Sequence, residues 1–452
     1  MSDIVGKRIR NLLHIAGLDF HVLLTLLFRS WNIIAGSGTV LLLPFWLTPV
    51  AQGYYFTLAS FIALQVFFEL GLNQVLVQLI GHEAAHLRST DDGKLVGPAA
   101  NLERLQALVT LTRKWYAIAA SLFMLIGGIA GGAFFWHRGE LPPTSWLGVW
   151  IIMVGATSFN LLFSPQLAVL EGCGRVGHVA RLRLIQSILG YSALWVGLIS
   201  GAGLWAAAAV PVTSALCTGY WLHRYGISIV GQDRAIHTTR PSPVRWSTDI
   251  FPLQWRIAIS WISGYFIFNL FTPVVFSRYG SAEAGRLGMA LTLFNAITTI
   301  GMSWVNAKAP IFSMQIARKE RTDLMRLFKA VATRSLVFTA LLCLAVIVLA
   351  WLLTWMQFPP MRRIASIGVL ATLALATVVN CAIFAAAVFM RAHREEPMLP
   401  ISVTTALLTS VGVYLGSMHG VLPMVAIYAG VTTLVALPWT ATVFLKYYRQ
   451  AQ

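Results

Sequence analysis

The chain has 452 residues, of which 57% are hydrophobic and 11% charged, with a net charge of +17. A soluble domain carries about 25% charged residues, so this composition excludes an ordinary soluble enzyme. Long apolar runs separated by short polar segments describe a polytopic, all-α membrane protein.

Residues 1–23 set Lys7, Arg8, Arg10 and His14 against Ile9, Leu12, Leu13 and Ile15. That pattern predicts a short amphipathic segment lying on the membrane surface. The first apolar run then continues to Trp46 with no small-residue cleavage site after it, so it reads as a span and not as a cleaved signal. Twelve spans are predicted, roughly 24–47, 53–80, 115–136, 145–170, 184–200, 203–223, 255–277, 285–307, 335–355, 365–390, 399–418 and 421–445, each near the roughly 20 residues that a bilayer requires. With both termini inside, 28 of the 33 Lys and Arg residues fall on the inner side. The remaining five are Arg138, Arg278, Arg286, Arg362 and Arg363. This positive-inside asymmetry accounts for the basic excess and argues against nucleic acid as a partner; membrane lipids are the expected one.

The hairpin of spans 1 and 2 turns at Thr48-Pro49, and its order recurs from Ile257 to Pro310. There Thr272-Pro273 answers the corner and Ala284-Gly285 answers Gln52-Gly53. Further on, the turns at Gly174-Arg175 and Gly201 recur 219 residues later at His393-Arg394 and Gly420. The reading is a duplicated membrane unit: residues 24–223 form an N-terminal six-helix lobe, 224–254 a cytoplasmic linker and elbow, and 255–452 a C-terminal six-helix lobe. Such a duplication is the usual build of a transporter. The loop after span 2 contains His82-Glu83-Ala84-Ala85-His86, which fits the HExxH spacing of a zinc site. The sequence next to it reads as a solvated helix end, and neither a metal nor a cofactor is expected. Cys173, Cys217, Cys343 and Cys381 are scattered and form no CxxC pair. The predicted outer loops are too short for the acceptor domain of a glycan polymerase, so no catalytic residue is assigned.

A polar side chain at mid-bilayer costs roughly 2.5–3.5 kcal/mol, so intramembrane polar residues carry the functional signal. Gln65, Glu69 and Asn73 recur every fourth residue in span 2 and would share one face of a continuous helix. Glu69 reads either as a proton-coupling group or as a paired structural acid. Arg29 and Arg256 sit at matching places in spans 1 and 7. They would either fork hydrogen bonds to a phosphate or snorkel to the interface. Lys308 is either a point charge for phosphate or a boundary marker. Asn160, Asn269, Asn295, Asn306 and Asn380 would bind sugar hydroxyls or tie helices together. Trp46, Tyr54, Tyr55, Trp146 and Trp355 are expected in an interfacial aromatic belt.

Several stretches resemble a known family: LTPVAQGYY at the first corner, EGCGRVGHVARLR after span 4, and QWRIAISWISGYFIFNLFTPVVF with the later AGRLGM and NAKAP. They are similar to prokaryotic oligosaccharide and O-antigen flippases of the multidrug/oligosaccharidyl-lipid/polysaccharide (MOP) superfamily, whose fold is MATE-like. The resemblance implies alternating access between two lobes. It further implies transport of undecaprenyl-pyrophosphate-linked oligosaccharide across the bacterial inner membrane, ion-coupled in several members, with polysaccharide polymerases or ligases as partners. On that reading Arg29, Arg256, Lys308, Asn73, Asn269 and Asn295 line the substrate path and Glu69 couples the ion. Many drug-exporting relatives carry an Asp in span 1, and this chain has no acid there. A multidrug or metabolite antiporter on the same fold is the alternative.

Overall fold

The computed structural model describes residues 20–89, 95–225, 244–393 and 397–450. The amphipathic segment expected at 1–23 and most of the linker expected at 224–254 therefore lie outside the described residues. Each of the twelve predicted spans coincides with helix, and ten helices are long and apolar enough to cross a membrane. The protein is a multi-pass helical membrane protein, and the strands among the described residues are the two-residue pair β1 (Arg88–Ser89) and β2 (Leu95–Val96).

The first hairpin is α1 (Phe20–Trp46) and α2 (Pro49–Ile62). The corner forms because Thr48 caps α2, its hydroxyl accepting from the Ala51 N–H at 3.1 Å, while Pro49 opens the helix where no backbone donor is needed. The second span is not one continuous helix. It passes through a tight turn at Ala63–Gln65 into α3 (Val66–Glu69) and restarts as α4 (Leu72–Ala84). Leu70 (φ 51°) and Gly71 (φ 64°) are both left-handed and break the ladder between them. Gln65, Glu69 and Asn73 consequently do not share one helical face, which corrects the reading from their spacing.

The next helices are α5 (Ala99–Leu122), α6 (Gly128–Arg138), α7 (Pro143–Gly172), α8 (Val176–Ile199) and α9 (Ala209–Tyr225). α5 begins sixteen residues before the predicted start of span 3 at 115 and runs into that span without a break. After the elbow come α10 (Phe251–Phe268), α11 (Phe271–Tyr279), α12 (Ser281–Gly301), α13 (Ser303–Ala317), α14 (Arg321–Trp355), α15 (Ile367–Arg391), α16 (Leu399–Gly416), α17 (Val421–Val431) and α18 (Leu437–Gln450). Span 8 has no such break: α12 and α13 run on through Met302, which keeps right-handed helical angles and whose N–H bonds to the Thr298 carbonyl at 2.9 Å.

The chain packs as two compact units. One holds Leu64–Ala133 and Pro143–Ala258 with α1 up to Ala35. The other holds Gly36–Ala63, Phe134–Pro142 and the chain from Ile259 on. The unit boundaries thus differ from a simple division at the linker, because α2 belongs with α12. The reason is a glycine crossing. A Cβ on Gly53 would fall 1.8 Å from the Ser281 carbonyl oxygen, and one on Gly285 would fall 2.8 Å from the Gly53 nitrogen. The two dipeptides matched by the repeat, Gln52-Gly53 and Ala284-Gly285, therefore pack against each other.

The same unit buries Tyr54 completely between Phe135 and Phe276, where its oxygen accepts from the Leu141 N–H at 3.1 Å. Trp146, in the other unit, is also buried, whereas Trp46 and Trp355 are exposed as a belt requires. The belt reading thus fails for Tyr54 and Trp146, whose rings fill helix crossings.

Gly53→Ala is expected to cost about 1–3 kcal/mol through overpacking against backbone. Gly36→Ala, with nothing within 4 Å of the added methyl, is expected to be neutral. Thermal unfolding of the two variants in detergent checks this; equal midpoints would rule out the close crossing.

Candidate functional site

In the second unit the helix crossing carries polar ties. The buried Gln52 side chain donates to the Gly285 carbonyl at 3.0 Å and to the Arg363 carbonyl at 3.0 Å. Arg363 in turn donates to the Leu47 carbonyl at 3.1 Å. Glu140 caps α12, accepting from the Ser281 backbone N–H at 2.8 Å and from its hydroxyl at 3.0 Å. A carboxylate at a helix N-terminus is stabilised by the unsatisfied donors and the helix dipole. The Tyr265 hydroxyl donates to the Ser60 carbonyl at 3.3 Å, which ties α10 to α2.

The same unit holds two adjoining cavities of about 470 and 370 Å³ that share Thr298, Thr299 and Asn380 in their walls. Asn269 and Asn295 line the smaller one and Asn306 the larger. Four of the five asparagines singled out in the sequence therefore line these adjoining cavities, Asn269 from the turn after α10 and the others from α12, α13 and α15. The threonines were not anticipated, and they set the chemistry. Thr298 donates to the Phe294 carbonyl at 3.0 Å, Thr299 to the Asn295 carbonyl at 2.8 Å, and Thr432 to the Tyr428 carbonyl at 2.6 Å. With their protons used on their own helices, these hydroxyls offer lone pairs, while asparagine amides offer N–H groups. Asn380 spends one of these on the Tyr428 oxygen at 2.8 Å. No lining residue of either cavity is acidic, and Arg391 is charged. The signal for these threonines was present in the sequence as polar interruptions of apolar helices, but most such threonines only bond back to their own helix.

In the first unit Glu69 closes α3 immediately before the break. Its carboxylate accepts from the Tyr116 hydroxyl of α5 at 3.2 Å. The Tyr116 oxygen also faces the Asn73 backbone N–H and the Ser164 hydroxyl. Asn73 Oδ1 is enclosed without a hydrogen-bond partner. Glu69 and Asn73, both predicted site residues, are thus brought together around Tyr116, which sequence reasoning missed because it lies on a separate helix. The Glu69 carboxylate and the Tyr116 hydroxyl form a hydrogen-bonded pair that can take up a proton.

The predicted cations are more peripheral. Arg29 and Arg256 are both exposed, and Arg256 lies with its guanidinium 5.6 Å from the centre of the neighbouring Trp255 ring. Lys308 is exposed on α13. Asn160 acts between helices, donating to the Pro211 carbonyl at 3.2 Å and accepting from Ser214 and Thr218. At the zinc-like spacing, His82 and His86 stand 5.9 Å apart by ring centres, but Glu83 turns to Asn101 at 2.9 Å and Arg104 at 3.1 Å. Among the described residues no three His, Cys, Asp or Glu side chains gather as a metal site.

The fold is that of a MATE-type multi-pass transporter. Solved structures that share it include the lipid II flippase MurJ in an inward closed conformation, with TM-score 0.62, 11% identity, and 95% of this chain and 90% of that one covered. An inward-facing multidrug resistance MATE family transporter of the MOP superfamily aligns with TM-score 0.57 and 14% identity over 96% of each chain. A Vibrio cholerae MATE transporter aligns with TM-score 0.56 and 14% identity over 95% of this chain and 96% of its own. Neither protein-family models nor curated protein sequences give a match.

Tyr116→Phe is expected to cost about 1–2 kcal/mol, because it strips the partly buried Glu69 of its hydrogen-bond donor. Glu69→Gln keeps an oxygen that accepts from Tyr116 and is expected to cost less. Unfolding midpoints of the two purified variants check the order; a harmless Tyr116→Phe would show that the pair does not form.

Proposed function

We propose that the chain is an alternating-access flippase for lipid-linked oligosaccharide in a bacterial inner membrane. The observation that carries this reading is the cavity lined by Asn269, Asn295, Asn306, Asn380 and a set of threonines, with no acid in its wall. Carboxamides and hydroxyls match the donors and acceptors of sugar rings. A site for cationic drugs would call for a carboxylate, which these walls lack; their aromatic rings, Phe268, Phe271, Phe294, Phe384 and Tyr428, suit a drug or a sugar face equally. The Glu69–Tyr116–Asn73 cluster is the proposed coupling site, loading and releasing a proton as the protein changes conformation. Arg29, Arg256 and Lys308 supply cations for the pyrophosphate at one membrane face. Both termini are placed in the cytoplasm by the distribution of Lys and Arg. No covalent chemistry is needed, since the lipid tail stays in the bilayer throughout.

A multidrug or metabolite antiporter on the same fold is the second reading. The acid at Glu69, inside a helix that crosses the membrane, favours it.

Deletion of the gene is expected to abolish surface polysaccharide and to leave lipid-linked repeat units on the cytoplasmic side. Normal polysaccharide together with new sensitivity to cationic drugs would replace the flippase reading with the antiporter one. In the complemented strain, Asn295→Leu combined with Thr299→Val is expected to lower polysaccharide output by about tenfold or more, the effect of losing two net hydrogen bonds of about 1 kcal/mol each. Arg29→Ala is expected to abolish complementation while the protein is still made. Full activity of that variant would reduce Arg29 to an anchor of its helix.

A further inference from the structure

A groove of about 700 Å³ runs between α13 and α14, away from the cavities described above. α14 has 35 residues and so is about 50 Å long, well beyond the roughly 30 Å of bilayer hydrocarbon. Its exposed face changes character along its length. Arg321, Arg326, Lys329 and Arg334 are exposed in its first half. From Val337 through Leu341, Leu344 and Val348 to Trp355 the exposed side chains are almost all large and apolar. The groove spans this change. Lys329, Thr333 and Arg334 line one end, and Val337, Phe338 and Leu341 the other.

Trp304 of α13 forms the facing wall, edge-on to Phe338 with ring centres 4.8 Å apart. An indole at this level marks the interface between hydrocarbon and headgroups. Lys308 lies one turn further along the same face of α13 as Trp304, so it approaches the cationic end. Lys329 lies with its ammonium 5.4 Å from the centre of the Tyr448 ring, and Arg334 has no hydrogen-bond or ion-pair partner among the described residues. No acid lines the groove.

We propose that this groove binds one anionic glycerophospholipid of the surrounding bilayer. The phosphate sits against Arg334 and Lys329, and an acyl chain runs over Val337, Phe338 and Leu341. Charge complementarity at one end and an apolar channel of matching direction at the other select this occupant. The polar end holds one hydroxyl, Thr333, and no carboxamide, so it lacks the groups that would hold the sugar chain of a lipid-linked oligosaccharide. The site is independent of the transport reading and stands or falls separately.

Native mass spectrometry of the purified full-length protein tests it. Equal amounts of phosphatidylglycerol and phosphatidylcholine with identical chains are offered in detergent. Phosphatidylglycerol adducts are expected to exceed phosphatidylcholine adducts by about fivefold or more, given two cations near the headgroup. The preference is expected to fall to parity in the double variant Arg334→Gln, Lys329→Gln and to persist in Arg334→Lys, Lys329→Arg. It is also expected to persist in Arg318→Gln, Arg321→Gln, which removes equal charge outside the groove. Parity in the unaltered protein overturns the proposal without recourse to any variant. Survival of the preference in the first double variant, or its equal loss in the last, overturns it as well. Displacement of phosphatidylglycerol by equimolar undecaprenyl phosphate would assign the groove to the polyprenyl carrier and overturn the bulk-lipid occupant.

Discussion

The close crossing of α2 and α12 is the constraint on which the second unit depends. In a bilayer, helices gain little from hiding apolar surface from one another, because lipid tails are equally apolar. What holds them is dispersion at short range and hydrogen bonds that have no alternative partner nearby. Gly53 and Gly285 supply the first by letting backbones meet. That approach also brings the Gly285 carbonyl within reach of the buried Gln52 amide, which donates to the Arg363 carbonyl as well. Glu140 on Ser281 and Arg363 on Leu47 extend the polar ties around the same crossing. A seam built of glycine contacts and a few directional bonds can part without leaving a large apolar cavity behind, which a seam of interlocked leucines could not do.

The interrupted second span is the second organising feature. A broken helix exposes polar backbone within the membrane, which is tolerated only where protein or a cavity surrounds it. The break in span 2 sets Glu69 at the end of a half-helix beside Tyr116 and Asn73. In the other unit the cavities are walled by amides and hydroxyls, with Arg391 as their charged residue and no acid.

Much of this architecture was readable before any coordinates. Hydropathy places all twelve spans because the bilayer imposes one length on every crossing. The pairing of Gln52-Gly53 with Ala284-Gly285 was visible as a repeat, though not as a contact; spacing relates equivalent positions and does not say that they touch. The break at Leu70 was not readable. A single glycine such as Gly71 is common within membrane helices, and a leucine in the left-handed region has no sequence signature. The assumption of a continuous helix put Gln65, Glu69 and Asn73 on one face, and tertiary packing undid it. The asparagines were found because amides are rare in apolar spans, but Asn160 carries the same signal as Asn295. Only the structure separates the amide that ties α7 to α9 from those that line a cavity.

The acid-free wall of the cavities also bears on the function proposed above. A carrier must hold its cargo well enough to select it and loosely enough to release it. In a low-dielectric interior an ion pair to the cargo would be strong and hard to break. On the proposed reading, hydrogen bonds from Asn295, Thr299 and Asn380 to sugar hydroxyls would contribute about 1 kcal/mol each once exchange with water is counted, so several together would select a glycan without trapping it. The charged residue in the walls is Arg391, at the larger cavity, while Arg29, Arg256 and Lys308 are exposed on their helices. On the proposed reading a phosphate would fall to such charges and the sugars to the amides.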